Sequence, residues 1–184
     1  YNGHQIINRP HEDDRNDPQL RTQTHLEQIQ SNTRFRSIAE YFNAITYLHL
    51  IPQMLKYGEA LGGNRLEDDP FGQGFLERIA NCQKQTRDAR LRRMEEALAV
   101  AVPQFKRLRF ERDEMGHPHL EALYEHHRPK AGWQREDQFS DGTLRLLGLL
   151  WALLDGDSLL LMEEPELSLH EGVVERIPSL IDRV

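Results

Sequence analysis

The sequence predicts a mixed α/β fold, and three observations predict it. A short apolar run, Leu159–Met162, has the length and bounds of a buried strand, and it stops abruptly at Glu163-Glu164-Pro165-Glu166. Just upstream, Ser140-Asp141-Gly142-Thr143 opens an apolar helical stretch that reaches about Leu154. Earlier still, Arg34–Tyr57 and Phe75–Val102 carry apolar residues at three- and four-residue steps, while Phe105–Arg112 and His119–His126 alternate as a strand pair. Three regions follow from this pattern. Residues 1–33 read as a polar loop or linker, 34–104 as a helical insertion or lobe, and 105–184 as the part holding the Ser-Asp-Gly helix and the acidic strand end.

Composition narrows the function classes. The 184 residues suffice for one domain with a real core. With 23 basic and 30 acidic side chains the formal charge is −7, which excludes general nucleic-acid binding by bulk electrostatics but leaves room for a local basic stripe. The single cysteine, Cys82, excludes an internal disulfide and suits a reducing cytoplasm. No apolar run is long enough to span a bilayer and no signal peptide opens the sequence, so no membrane partner is expected. The first residue is Tyr1, not Met, and no Gly-x-x-x-x-Gly-Lys-Ser/Thr occurs, so the sequence reads as an internal or carboxy-side piece of a longer protein.

Taken in order, the first segment is punctuated by Pro10 and Pro18, and its histidines His4, His11 and His25 follow no metal spacing. Phe35, Ile38, Phe42, Ile45 and His49 give Arg34–Tyr57 its helical period, with Pro52 as the boundary or kink. Gly58–Gly74 reads as a loop, its turn signals being Gly62-Gly63-Asn64 and Asp69-Pro70-Phe71-Gly72; Asp69 with Pro70 is alternatively a cap for the next helix. Phe75–Val102 is the most basic segment, with Arg78, Lys84, Arg87, Arg90, Arg92 and Arg93. These read either as a solvated face paired to Glu77, Glu95 and Glu96 or as a contact for DNA or a partner protein. The strand pair turns over Asp113–Pro118. His117, His119, His126 and His127 do not make a metal set by spacing, because adjacent His126 and His127 point opposite ways on a strand and no cysteine joins them. Arg128–Gln138 is a polar connection, and Glu171–Asp182 a final helix with Pro178 as an unexpected breaker.

The chemistry concentrates in the last stretch. Ser140 suits a helix cap, and Gly142 removes side-chain bulk from the first-turn N–H groups, where the helix dipole favours an anion. The residues alone leave an ordinary Ser-capped core helix open. Arg145 is a lone charge in an apolar helix, available to an acidic neighbour or to a phosphate. Glu163 and Glu164 are adjacent, so their side chains diverge for as long as the strand persists.

Ser140-Asp141-Gly142-Thr143-Leu144-Arg145, followed at one helix plus one strand by Glu163-Glu164-Pro165-Glu166 and Leu169-His170, resembles the ATP-binding-cassette class of P-loop ATPases. More narrowly it resembles the RecF/SMC-like and OLD-like AAA family ATPases, here a partial chain with the signature and Walker B motifs and no Walker A. The close likeness covers roughly the last quarter of the chain, and a weaker one reaches back to about Arg34. The resemblance implies part of an ABC-type head with a largely helical insertion and a small β-hairpin. It implies ATP and Mg²⁺ as cofactors and a homodimer through the head. It also implies that Ser140, Asp141, Gly142, Thr143 and Arg145 serve the nucleotide, with Ser140, Gly142 and Thr143 facing a γ-phosphate held by the opposite protomer. Glu163 would hold the Mg²⁺ shell, Glu164 would orient or deprotonate water, and His170 would either cross the dimer interface or cap a helix start. The family has Pro after this histidine; Glu171 stands here.

Overall fold

The computed structural model describes residues 36–61, 66, 68–125, 132–156 and 159–182. The expected linker at 1–33, the Gly62-Gly63-Asn64 turn and His126-His127 lie outside the described residues. The chain divides into two units, Tyr1–Ile45 and Thr46–Val184. In the first, α1 (Arg36–Asn43) ends with Ala44 N–H donating to Glu40 O and Ile45 N–H to Phe42 O.

The second unit begins with a strand where a helix is expected. β1 (Thr46–Leu48) pairs in parallel with β5 (Leu160–Met162), Thr46 opposite Leu160 and Leu48 opposite Met162. Thus the helix read over Arg34–Tyr57 is three elements, and the stretch 34–104 is not wholly helical. The apolar period of Phe42, Ile45 and His49 fits either form, and pairing with a strand more than a hundred residues on decides it. Pro52 starts the next helix, α2 (Pro52–Leu61), rather than ending the previous one, as its fixed φ favours at a first helical position.

The expected helix over Phe75–Val102 is likewise two, α3 (Phe75–Asn81) and α4 (Lys84–Ala101), because Cys82 and Gln83 have extended ψ values of 139° and 135°. The break lets each helix meet its own partners. α3 buries Phe75 and Ile79 and packs on α2 and β3, while α4 buries Leu91, Met94, Ala97 and Leu98. Asp69 caps the loop before α3, its carboxylate accepting from Gln73 and Gly74 N–H at 2.8 Å each.

The hairpin is as expected, with β2 (Phe105–Arg112) antiparallel to β3 (Pro118–Tyr124) and a bulge between Phe105 and Arg107. Buried Leu120 and Ala122 alternate along β3. A third strand, β4 (Trp133–Arg135), extends this sheet where only a polar connection is expected. Arg109 stacks over the Trp133 ring at 4.1 Å and ion-pairs with Glu121 across the β2–β3 pairing, which makes that connection a sheet edge.

α5 (Asp141–Asp155) runs through the middle of the core. Leu144, Leu146, Leu147, Leu150 and Trp151 are fully buried, so the helix is covered on several sides, by α2 and α4 among others. The last segment is two short helices, α6 (Glu171–Val174) and α7 (Ile177–Ile181), with Pro178 tolerated in the first turn of the second. No described helix is long and apolar enough to cross a membrane.

Candidate functional site

β1 and β5 run the same way and finish together. Glu163 N–H donates to Leu48 O at 2.9 Å, extending the pairing by one residue, so His49 and Glu163 leave the sheet side by side. Carboxyl ends of parallel strands are where open α/β sheets hold ligands. Glu163 Oε2 accepts a hydrogen bond from the Tyr47 hydroxyl and lies 3.7 Å from His49 Nδ1, which is buried and has no hydrogen-bond partner. The Tyr47 phenol is pushed up, first by that bond to Glu163, then by desolvation, then by the charges of Glu163 and Glu164. Glu164 is therefore within electrostatic reach of the same phenol.

The divergence expected of Glu163 and Glu164 on a persisting strand does not arise. The strand stops at Met162, and Glu164 takes a left-handed φ of 49°. Ser168 follows with φ 67°. A non-glycine residue in this region is held there by its surroundings, and two within five positions mark a tightly determined loop. Both glutamates are exposed.

The start of α5 meets this loop. Ser140 is its N-cap, its Oγ accepting from Thr143 N–H at 3.1 Å and sitting 2.9 Å from the Thr143 hydroxyl. Thr143 also hydrogen-bonds the Tyr124 phenol; burial raises that phenol and the bond draws it back. Asp141 ion-pairs with Lys56 at 3.5 Å. Gly142 fits so closely that a Cβ there would lie 2.6 Å from Ser168 O and 3.0 Å from Leu169 Cδ2. One turn on, Arg145 is buried, its Nε lacks a hydrogen-bond partner, and it lines a small cavity with Glu163, Met162 and Pro165. The helix start, the strand-end acids and the turn after them thus form one locus.

His170 caps α6, its Nδ1 accepting from Gly172 N–H at 3.2 Å. That matches the capping alternative; the interface alternative needs a second chain. The basic segment is partly occupied within the chain. Arg87 lies over the Phe110 ring at 4.1 Å and donates to Ala80 O, and Arg90 lies over Trp151 and ion-pairs with Asp155. Sequence reasoning missed Tyr47, His49 and Lys56 as neighbours of the site. One signal was the β-branched and aromatic Ile45-Thr46-Tyr47 before Pro52, which the helical period masked; Tyr47-Leu48-His49-Leu50-Ile51-Pro52 also resembles a recurring segment of the ATPase family, but on its own assigns no role.

One family model matches residues 8–184, and its description reads "AAA domain, putative AbiEii toxin, Type IV TA system". No curated protein and no solved structure matches the chain.

Proposed function

The chain belongs to this AAA-domain family, and from that premise we propose that it is the signature-helix and Walker B part of a dimeric, ABC-type ATPase head of the RecF/SMC-like kind. The observation that carries the reading is the close seat of Gly142 against Ser168 O, with Arg145 and Glu163 lining one cavity beside it. A phosphate-greeting helix and two carboxylates are thereby coupled through a single turn.

The residues fit the implied group. Glu163 offers hard carboxylate oxygens at the open end of β5, a donor type that suits Mg²⁺ together with nucleotide phosphates. When bound, Mg²⁺ neutralises phosphate charge. Glu163 would exchange its bond from Tyr47 for that ion, and Glu164 would orient and deprotonate the attacking water. The first-turn N–H groups of α5, with Ser140 and Thr143, would bind a phosphate carried by a second protomer. Asp141 would hold Lys56 beside that helix start. Arg145 would brace the signature helix against the acidic turn, and His170 would set that turn toward the partner. A Walker A lysine and Ser/Thr are not among the 184 residues, so hydrolysis requires them from elsewhere.

A second reading draws on the family description, which names a toxin and a toxin–antitoxin system: a defence module using ATP as a clamp switch on nucleic acid. Arg92 and Arg93, exposed on α4, are its best contacts, since Arg87 and Arg90 are engaged internally. DNA that stimulates slow hydrolysis, with the stimulation lost in Arg92→Ala/Arg93→Ala, would favour it.

The test is nucleotide binding and turnover by a chain that includes a Walker A segment, with Glu164→Gln beside it. ATP binding should persist while turnover falls by about 10²-fold or more, the scale of a lost catalytic base. Unchanged turnover sinks the role of Glu164. The 184 residues alone should hydrolyse ATP poorly or not at all; robust activity would overturn the need for an outside lysine.

A further inference from the structure

Arg145 is a cation in apolar surroundings. It is buried in the second turn of α5, between the buried Leu144 and Leu146, and its Nε–H has no hydrogen-bond partner. The acid four positions before it on the same helix, Asp141, is its partner by spacing, but Asp141 ion-pairs with Lys56 at 3.5 Å. A charge left unpaired in a low-dielectric interior is strongly unfavourable.

One carboxylate is placed to answer it. Arg145 lines a cavity of about 20 Å³ with Leu48, Leu149, Met162 and Pro165, and among the described residues Glu163 is the one acid in its wall. Such a space admits a water-sized group, a carboxylate oxygen among them, and is too small for a phosphate. The Glu163 backbone is pinned, its N–H donating to Leu48 O at 2.9 Å. Its side chain is about half exposed, with Oε2 turned to the Tyr47 hydroxyl and 3.7 Å from His49 Nδ1. One carboxylate thus has two donors, a neutral phenol at the surface and a guanidinium behind apolar walls. The charged donor in the drier setting is the stronger partner.

We propose that Glu163 has two seats, the Tyr47 hydroxyl outside and the Arg145 guanidinium inside, and that Arg145 is the positioning residue that draws this carboxylate back when no cation holds it. Only side-chain rotation separates the seats. Arg145 follows Gly142 by three positions, about one helical turn, so the inner ion pair ties the strand end to the helix start that packs on Ser168. The two seats need no nucleotide. Their consequence rests on the reading above that Glu163 meets Mg²⁺: the ion then competes with Arg145 for the carboxylate, and drawing Glu163 outward releases α5.

The test starts with the 184-residue chain and no ATP. The Arg145 Nε–H is followed by ¹H–¹⁵N NMR and assigned by its loss in Arg145→Lys. Its shift and its exchange with water should respond to both exposed partners. Tyr47→Phe, which removes the outer seat, should slow exchange, and Glu163→Ala, which removes the acid, should speed it about 10-fold. An Arg145 signal indifferent to both variants, with far-UV circular dichroism unchanged, would overturn the two seats. In a chain that includes a Walker A segment, Arg145→Met should lower the Mg²⁺ concentration for half-maximal turnover about 5-fold or more. NMR coupling without turnover in that chain would sink the nucleotide reading and leave the ion pair standing. Turnover with an indifferent Arg145 signal would do the reverse.

Discussion

Two groups of carboxylates in this molecule are built on opposite plans. Glu163 and Glu164 stand exposed at the end of a short parallel strand, on a loop with two left-handed non-glycine residues. Asp113 and Glu136 sit beside a hairpin, both oxygens of Glu136 and the Oδ1 of Asp113 already engaged. The first pair has oxygens to offer and backbone held in place by its neighbours. The second has its oxygens committed to orienting imidazoles and backbone. Glu163 and Glu164 are exposed, whereas Glu136 is buried with both of its oxygens engaged.

The sharpest way to break this contrast is to remove the turn on which the open pair depends. Gly142→Val should abolish turnover in a chain complete for Walker A and lower stability by about 1–3 kcal/mol, the cost of forcing side-chain bulk into a filled site. Urea unfolding and single-turnover assays would read both. A fully active Gly142→Val would mean that the helix start and the Ser168 turn are not coupled.

Next comes the saturated acid. Glu136→Ala leaves Leu120 N–H without its acceptor inside the protein, which should cost about 1–3 kcal/mol. Glu163→Ala, at an exposed position, should cost well under half as much in the same urea titration. Equal losses would erase the distinction between the two plans. Ser140→Ala should fall between the two, at about 1 kcal/mol for a lost cap, with Ser140→Asn restoring most of it.

The smallest effect is in proton affinity. Partial desolvation pushes the Asp113 carboxyl up, but hydrogen bonds from the His117 side chain and backbone outweigh it and hold the group at about 2, below the ordinary 3.8. A carboxyl depressed on folding stabilises the fold above its unfolded value, and that contribution fades as pH falls from about 4 through 2. In His117→Gln the midpoint, followed by carboxyl NMR shifts, should rise toward 3.8. A midpoint that stays put would show that the His117 ring does not face Asp113.

The mixed α/β class, the hairpin, the Ser140 cap and the position of the strand before Glu163 were legible in the sequence from neighbours within a few positions, but not that strand's burial: it spans Leu160–Met162, and Leu161 is exposed. Ser140 bonds Thr143, and β3 alternates residue by residue. What misled was period shared by two structures. Phe42, Ile45 and His49 suit one helix as well as a helix followed by a strand, and the Cys82-Gln83 break has no Pro or Gly to announce it. The strand holding Trp133 was hidden inside a polar connection because it is only three residues long and takes its pairing from Leu123.

By itself, then, the sequence determined the local signs: which stretch caps, which alternates, and which acids end a strand. Only the tertiary structure decided that Tyr47 bonds Glu163, that Ser168 closes on Gly142, and that Glu136 stands behind His119. The physical reason is range. Helix caps and strand alternation are fixed by backbone geometry over a few residues, whereas these contacts join positions from 17 to 116 apart along the chain and exist only once packing has brought them together.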